Sequence, residues 1–125
     1  MLAGSPAIAT LGVSDLARAK AFYQDKLGLK AVDENPQVMT FEAGGQLIFV
    51  YQTGFAGTNQ ATGATWKLDD VDAAVADLKS RGVAFEHYDS LPGLERIGDV
   101  YKGHGMTVCW LKDPDGNILS LVSAS

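Results

Sequence analysis

The chain has 125 residues, of which 46% are hydrophobic and 20% are charged, and this composition is typical of a single folded domain. The net charge of -5 argues against nucleic-acid binding, because phosphate contacts need clustered Lys and Arg, and slightly favours a cationic or neutral ligand. No apolar stretch approaches the ~20 residues of a membrane span, and the N-terminus lacks the pattern of a signal peptide. The single cysteine, Cys109, allows no internal disulfide. We therefore expect a cytoplasmic protein without nucleic-acid or membrane partners.

The first part of the chain predicts a strand followed by a helix. Residues 8–13 alternate between two faces, with Leu11 on one face and Thr10 on the other. Ser14 is well placed to cap a helix whose apolar residues recur at helical spacing, and Gly28 is a natural end for that helix. A strand therefore leads directly into an amphipathic helix.

The sequence after this helix predicts three strands and a linker. Residues 29–32 form a short apolar run, and residues 39–43 and 47–51 predict a hairpin across a Gly-Gly turn. The glycine- and threonine-rich stretch at about 54–62 is typical of a linker.

The second half of the chain repeats this order. A strand, a helix, a further strand and the two strands of a closing hairpin are predicted over residues 64–68, 70–81, 83–88, 107–111 and 118–123. The hairpin closes through the turn at 113–117, in which proline and glycine favour a tight reversal, so we expect this turn to be structural. The long stretch 89–105, rich in glycine, is a candidate lid beside a ligand site.

One short pattern occurs twice. Val13-Ser14-Asp15-Leu16 opens the first helix and Leu68-Asp69-Asp70-Val71 opens the second, and Asp15 and Asp70 are 55 positions apart. Self-similarity of this kind predicts two copies of one structural unit. We expect an α+β domain over residues 1–125 made of two tandem βαβββ modules, at about 6–53 and 63–125, whose curved mixed sheet surrounds a ligand cavity.

The motifs of the two modules together resemble the vicinal oxygen chelate superfamily. They are the two helix openings, Phe22-Tyr23, Leu27-Gly28-Leu29, Arg81-Gly82-Val83 and the turn Asp113-Pro114-Asp115-Gly116-Asn117. That superfamily includes glyoxalase I, extradiol dioxygenases, fosfomycin-resistance transferases and bleomycin-resistance proteins. The resemblance covers nearly the whole chain and implies a homodimer, which is common in the family.

The resemblance also implies where a divalent metal would bind. The family's enzymes use His, Gln or Glu at four strand positions, which correspond here to Ile8, Ile48, Gly63 and Ser120. None of these side chains is a strong ligand for a divalent ion. Because metal chemistry supplies several kcal/mol of transition-state stabilisation in such enzymes, we expect neither a metal cofactor nor catalysis.

Aromatic and hydroxyl-bearing side chains are the candidate ligand contacts. We assign to the ligand site His104, Trp110, Tyr101, Thr10, Thr65, Ser120 and Phe49. In bleomycin-resistance proteins an aromatic residue before a glycine stacks on the drug, and His104-Gly105 resembles that placement. Strand alternation places Thr65 on the cavity side and Cys109 beside the core.

These observations lead to one hypothesis and two alternatives. The protein is expected to be a metal-free binder that sequesters a planar or aromatic compound, such as an antibiotic, without altering it. The first alternative is a metal-dependent glyoxalase- or dioxygenase-type enzyme whose atypical ligands include His87 or His104. The second is a structural or interaction module without catalytic activity.

Overall fold

Two mixed β-sheets form the framework of the protein. The computed structural model describes residues 1–89 and 91–124. The first sheet has four strands in the order β1-β4-β3-β2: β1 (Ala9–Val13), β2 (Lys30–Glu34), β3 (Val38–Ala43) and β4 (Gln46–Gln52). The second sheet has five strands in the order β5-β9-β8-β7-β6: β5 (Thr62–Lys67), β6 (Glu95–Ile97), β7 (Val100–Gly103), β8 (Met106–Lys112) and β9 (Ile118–Ala124). The α+β fold with two modules is confirmed.

Each module begins with the predicted strand and helix. Helix α1 spans Leu16–Lys20 and continues as a π-helical turn over Ala21–Lys26, and α2 spans Val71–Ser80. No helix among the described residues is long and apolar enough to cross a membrane. A short 3-10 helix at Leu2–Gly4 precedes β1.

The cap of α1 differs from the sequence prediction. The Asp15 carboxylate, not the Ser14 hydroxyl, accepts hydrogen bonds from the backbone N–H groups of Ala17 (2.9 Å) and Arg18 (3.2 Å). Ser14 instead donates its own N–H and hydroxyl to Asp115 of the second module, at 3.1 and 2.6 Å. The prediction that Ser14 caps the helix is therefore wrong, because a partner 101 residues away takes its hydroxyl.

The π-helical turn places two consecutive aromatic rings in the core. The Leu27 N–H donates to the Phe22 carbonyl at 3.0 Å, five residues back, which widens the helix at this point. Phe22 is 7% exposed and Tyr23 is 0% exposed. Helical spacing from Leu16 through Ala19 to Tyr23 predicts only the second of these two rings to face inward.

The helix-facing sides of the two sheets share one hydrophobic core. Strand alternation sends Leu11, Met39 and Val50 of the first sheet, and Cys109 and Leu119 of the second, into the same buried cluster. Burial raises the pKa of the Cys109 thiol to about 12, so the thiol is uncharged at neutral pH, as expected for a core residue. Helix α1 packs on the first sheet and α2 on the second, and the opposite side of each sheet is called here its open face.

The predicted strand at 83–88 is reduced to a single bridge. Phe85 pairs with Leu111 of β8, and no regular strand forms around it within the described residues. The reason is that β7 pairs with the first half of β8 and takes part of the sheet position that 83–88 would occupy. Strands β6 and β7 form a hairpin inside the stretch 89–105, of which Ser90 lies outside the described residues.

Candidate ligand-binding site

The open face of the second sheet brings four of the predicted site residues together. Trp110 of β8 pairs with Ser120 of β9, and Ser120 pairs with Thr65 of β5, so the three lie side by side across the sheet. Tyr101 pairs with Val108, two residues from Trp110 on the same face. This set, with Lys67 at the end of β5, is called here the second-sheet face.

Three aromatic rings form a cluster on the second-sheet face. The Trp110 ring makes edge-to-face contacts with Tyr88, at a centroid distance of 5.5 Å, and with Tyr101, at 5.3 Å. Tyr101 is only 2% exposed, whereas Trp110 is half-buried. Tyr101 therefore supports the cluster from below, and the Trp110 and Tyr88 rings are the parts that a ligand can reach.

A pair of hydroxyl groups lies beside the aromatic cluster. Thr65 Oγ1 and Ser120 Oγ are 2.6 Å apart, and either group can donate. Two strand spacings separate Trp110 from Thr65, which is about 10 Å. That distance matches the length of a bicyclic aromatic compound with one polar substituent.

The charges around the second-sheet face have the opposite sign to the net charge of the chain. Register and alternation place two cations and one carboxylate on this side: Lys67, Lys112 and Glu86. Glu86 and Lys112 form an ion pair at 3.4 Å. Lys67 has no ion-pair partner among residues 1–89 and 91–124, so it is available to an anionic group.

A groove continues from this face between the edges of the two sheets. Its volume is about 460 Å³, and its lining includes Thr65 and Lys67 of β5, Ala9 of β1 and Leu47 of β4. A second, apolar cleft of about 190 Å³ lies on the helix side, against Trp66 and Leu111. Trp66 thus packs toward the core, as its strand position predicts.

Three of the predicted site residues lie elsewhere. Thr10 and Phe49 pair with each other on the open face of the first sheet, at the positions equivalent to Thr65 and Ser120. His104 lies in the exposed turn between β7 and β8 with a φ of 52°, and its ring packs on Gly93. Trp110 is four residues, or about 13 Å, along β8 from Met106, the first residue after this turn.

The positions implied for a metal do not provide a metal site. Ile48 faces the core with 5% exposure, and its neighbour Phe49 on the open face has no donor atom either. Gly63 lies in a bulge of β5, where a Cβ would be 2.8 Å from Leu11 Cδ2. Ser120 offers only a hydroxyl. Across the described residues no group of three or more His, Cys, Asp or Glu could hold a metal ion.

The nitrogens of His87 are already engaged. His87 Nε2 is 2.8 Å from Asp99 Oδ1, and His87 Nδ1 is 3.4 Å from Arg96 Nη1. Asp99 also accepts a hydrogen bond from Lys79 of α2, at 2.7 Å. These hydrogen bonds, from Lys79 and then His87, lower the pKa of the Asp99 carboxyl. The cluster holds the β6–β7 turn against α2.

Tyr88 and Lys112 were not assigned to the site from the sequence. Alternation could have identified both. Phe85 faces the core, so Glu86 and Tyr88, at positions of the opposite parity, face the other side. Lys112 likewise shares the parity of Trp110 in β8. What the sequence does not show is that 83–88 still follows β8 after losing its regular pairing.

Comparisons with known proteins agree with this geometry. A sequence profile described as the Glyoxalase/Bleomycin resistance protein/Dioxygenase superfamily matches residues 6–121. No curated protein sequence matches the chain.

Three solved structures illustrate the similarity of fold. Lactoylglutathione lyase from Agrobacterium tumefaciens is 22% identical with a TM-score of 0.71, over 96% of this chain and 93% of the lyase. TnmS3, an antibiotic binding protein from Streptomyces sp. CB03234, is 23% identical with a TM-score of 0.65, over 98% of each chain. The fosfomycin resistance protein FosX from Listeria monocytogenes is 17% identical with a TM-score of 0.71, over 98% of this chain and 94% of FosX.

Proposed function

The chain belongs to the glyoxalase/bleomycin resistance protein/dioxygenase superfamily, and on that basis we propose that it binds a planar aromatic small molecule without a metal and without altering it. The observation that carries the proposal is the second-sheet face, where exposed parts of Trp110 and Tyr88 stand beside the paired hydroxyls of Thr65 and Ser120. An antibiotic is one ligand of this kind, since TnmS3 is an antibiotic binding protein.

The proposed ligand is an aromatic acid. Its ring packs on Trp110, which adds about 0.5–1.5 kcal/mol to the gain from apolar burial. Its carboxylate reaches the hydroxyls of Thr65 and Ser120 and the ammonium group of Lys67, which has no ion pair in the described part of the chain. Hydroxyls orient the anion through hydrogen bonds, and the lysine supplies charge. A bicyclic probe of this kind should bind with a dissociation constant of about 1 mM or less.

The proposed absence of catalysis rests on the side chains at the implied metal positions. Ile8, Ile48 and Gly63 have no side-chain donor atoms, and the Ser120 hydroxyl is a weak ligand for a divalent ion. No step in the proposal passes through a metal. Elemental analysis of protein purified from medium with added iron, nickel, zinc and manganese should find far less than one metal per chain; one equivalent would support the enzyme alternative.

The two tryptophans allow a direct test of where the ligand binds. Naphthalene-2-carboxylate should quench the fluorescence of the wild-type protein in a saturable way. Trp66→Phe should keep this response, because Trp66 packs on the opposite side of β5, toward the core. Trp110→Phe should lose the response and weaken binding at least tenfold by calorimetry. Equal binding by the two variants would contradict the proposed site.

We also propose that two copies of the chain pair through their open faces. The first-sheet open face exposes Leu47 and Tyr51, each 39% exposed. Its charged strand residues are two carboxylates and one lysine, Asp33, Glu42 and Lys30. The cations of the second-sheet face complement these carboxylates, so a twofold dimer can bring each first sheet against its partner's second sheet.

A further inference from the structure

The Tyr88 hydroxyl lies at one end of the aromatic cluster and is removed from solvent. Within residues 1–89 and 91–124 it is the buried side-chain polar atom that has no hydrogen-bond partner. Buried hydroxyls in native proteins nearly always have a hydrogen-bond partner, because an unpaired one has lost its hydrogen bonds to water without forming others. The position therefore indicates an acceptor that arrives from outside the described chain, and the atoms that cover the hydroxyl must shift to admit it.

The surroundings of Tyr88 hold its ring in place. The Tyr88 N–H donates to the Tyr101 hydroxyl, which in turn donates to the Tyr88 carbonyl at 2.9 Å. The neighbouring Glu86 N–H donates to the Trp110 carbonyl at 2.8 Å. These hydrogen bonds fix both the N–H and the carbonyl of the Tyr88 backbone. The Tyr88 ring itself packs edge-to-face on Trp110. A donor held in this way is already positioned before a ligand binds.

The phenol of Tyr88 stays in its neutral form. Burial is the main cause that raises the pKa of Tyr88 above its ordinary value, the charge of Glu86 adds to the effect, and Lys112 opposes it. A neutral phenol keeps its proton and can donate one hydrogen bond at physiological pH.

We propose, building on the proposed function, that the Tyr88 hydroxyl determines ligand specificity by donating a hydrogen bond to an acceptor at the edge of the ring that packs on Trp110. The ligand class is then a planar heteroaromatic or carbonyl-bearing aromatic acid, and a hydrocarbon ring of the same shape binds less well. Selectivity of this type arises because the hydrocarbon leaves the buried donor unpaired.

Matched probes and one variant test this role. Naphthalene-2-carboxylate is compared with quinoline-3-, -6- and -7-carboxylate, in which a ring nitrogen replaces one CH group and the shape is unchanged. At least one quinoline should bind the wild-type protein about tenfold more tightly than the naphthalene compound. In Tyr88→Phe that ratio should fall to about one.

A melting experiment distinguishes this role from simple packing. Because the hydroxyl has no partner in the described part of the free protein, Tyr88→Phe should melt at the same temperature as the wild type or higher. Tyr101→Phe is the contrasting variant and should melt at a lower temperature, since the Tyr101 hydroxyl bonds to the Tyr88 backbone.

The outcomes separate this inference from the proposed function. Saturable binding of all four compounds with no preference for any quinoline, or a preference that survives in Tyr88→Phe, overturns the role of Tyr88 and leaves the binding function intact. A lower melting temperature for Tyr88→Phe also overturns it, because the hydroxyl would then have a partner in the free protein. Binding of none of the four compounds contradicts the proposed function and, with it, this inference.

Discussion

Thr10 and Thr65 occupy equivalent positions in the two modules but have different surroundings. The Thr65 hydroxyl is bonded at 2.6 Å to Ser120, which is only 6% exposed. The exposed Thr10 hydroxyl instead donates to the Ile8 carbonyl, two residues away, at 3.2 Å. The repeat thus provides a variant and its control at matched backbone positions.

Thr65→Val should destabilise the protein, because it leaves the buried Ser120 hydroxyl unpaired. The expected loss in the free energy of unfolding is about 1–2 kcal/mol. The matched change Thr10→Val should stay within about 0.5 kcal/mol, since water already solvates that hydroxyl. Urea denaturation measures both values. Equal effects at the two positions would mean that the Thr65–Ser120 hydrogen bond contributes nothing.

At the scale of elements, the turn at 113–117 connects the two modules. Asp115 accepts hydrogen bonds from Ser14 and from Arg18 of α1, the latter at 2.8 Å. The buried Tyr23 hydroxyl donates to Asp113 at 2.7 Å, and Asn117 Nδ2 donates to the Gly12 carbonyl at 2.7 Å. The structural role expected for this turn from its sequence therefore includes holding the modules together.

Asp115→Ala should weaken this connection measurably. The Asp115 side chain is 8% exposed, and its loss leaves the Ser14 and Arg18 donors without their acceptor. We expect a loss of about 1–3 kcal/mol in the free energy of unfolding. Glu34→Ala is the control, because it removes an exposed ion pair in which the Lys20 side chain is 39% exposed and the Glu34 side chain 56%. It should lower the free energy of unfolding by less than about 0.5 kcal/mol. Similar losses for both variants would contradict the proposed connection.

The β6–β7 hairpin is held by an ionisable contact and should respond to pH. Hydrogen bonds from Lys79, and to a smaller extent from His87, lower the pKa of the Asp99 carboxyl. The contact therefore stabilises the folded state at pH values above the ordinary pKa of an aspartate. That stabilisation is lost as the pH falls through the lowered folded value. Asp99→Asn should therefore be less stable than the wild type at pH 7, and the difference should shrink below about pH 4.

Urea denaturation from pH 3 to pH 7 measures this dependence. Asp25→Asn is the control, because Asp25 is exposed, and it should remain within about 0.5 kcal/mol of the wild type throughout. A difference between Asp99→Asn and the wild type that is constant over this range would show that the carboxylate does not hold the hairpin.

Alternation within a strand could be predicted from the sequence, but its interruptions could not. The faces of Thr10, Thr65 and Trp110 follow from parity alone, because each lies in a regularly paired strand. Parity fails at Gly63, where a bulge adds a residue to β5. It also fails for pairing at 83–88, where a competing strand distant in sequence takes the position beside β8. Local patterns contain no information about either event.

At the scale of the whole molecule, the net charge and the local charge of the proposed site differ in sign. The chain carries a net charge of -5, yet Lys67 adds a positive charge to the second-sheet face beyond the Lys112–Glu86 ion pair. Composition averages over the surface, whereas a ligand experiences the charges within about one Debye length, ~8 Å at physiological salt. The preference for a cationic or neutral ligand rests on the net charge and stays a prediction, whereas the proposal of an aromatic acid rests on the local charge of Lys67.

The proposed dimer should be visible in solution. A chain of 13.2 kDa should elute with a light-scattering mass of about twice that value. Leu47→Asp should shift the mass toward that of the monomer, because it places a charge in the apolar part of the first-sheet open face. Ile97→Asp, at a residue of β6 that is 52% exposed, should not. A monomeric wild-type protein would contradict the proposed pairing.

The measurement that tests the central claim most directly is a nuclear magnetic resonance titration of the two tryptophan indole N–H signals. Metal-depleted, ¹⁵N-labelled protein is titrated with naphthalene-2-carboxylate, and the signals are assigned with Trp66→Phe and Trp110→Phe. The account predicts a saturable shift of the Trp110 signal and little change at Trp66, with no metal required. A shift at Trp66 alone, or binding that appears only after a divalent metal is added, would contradict it.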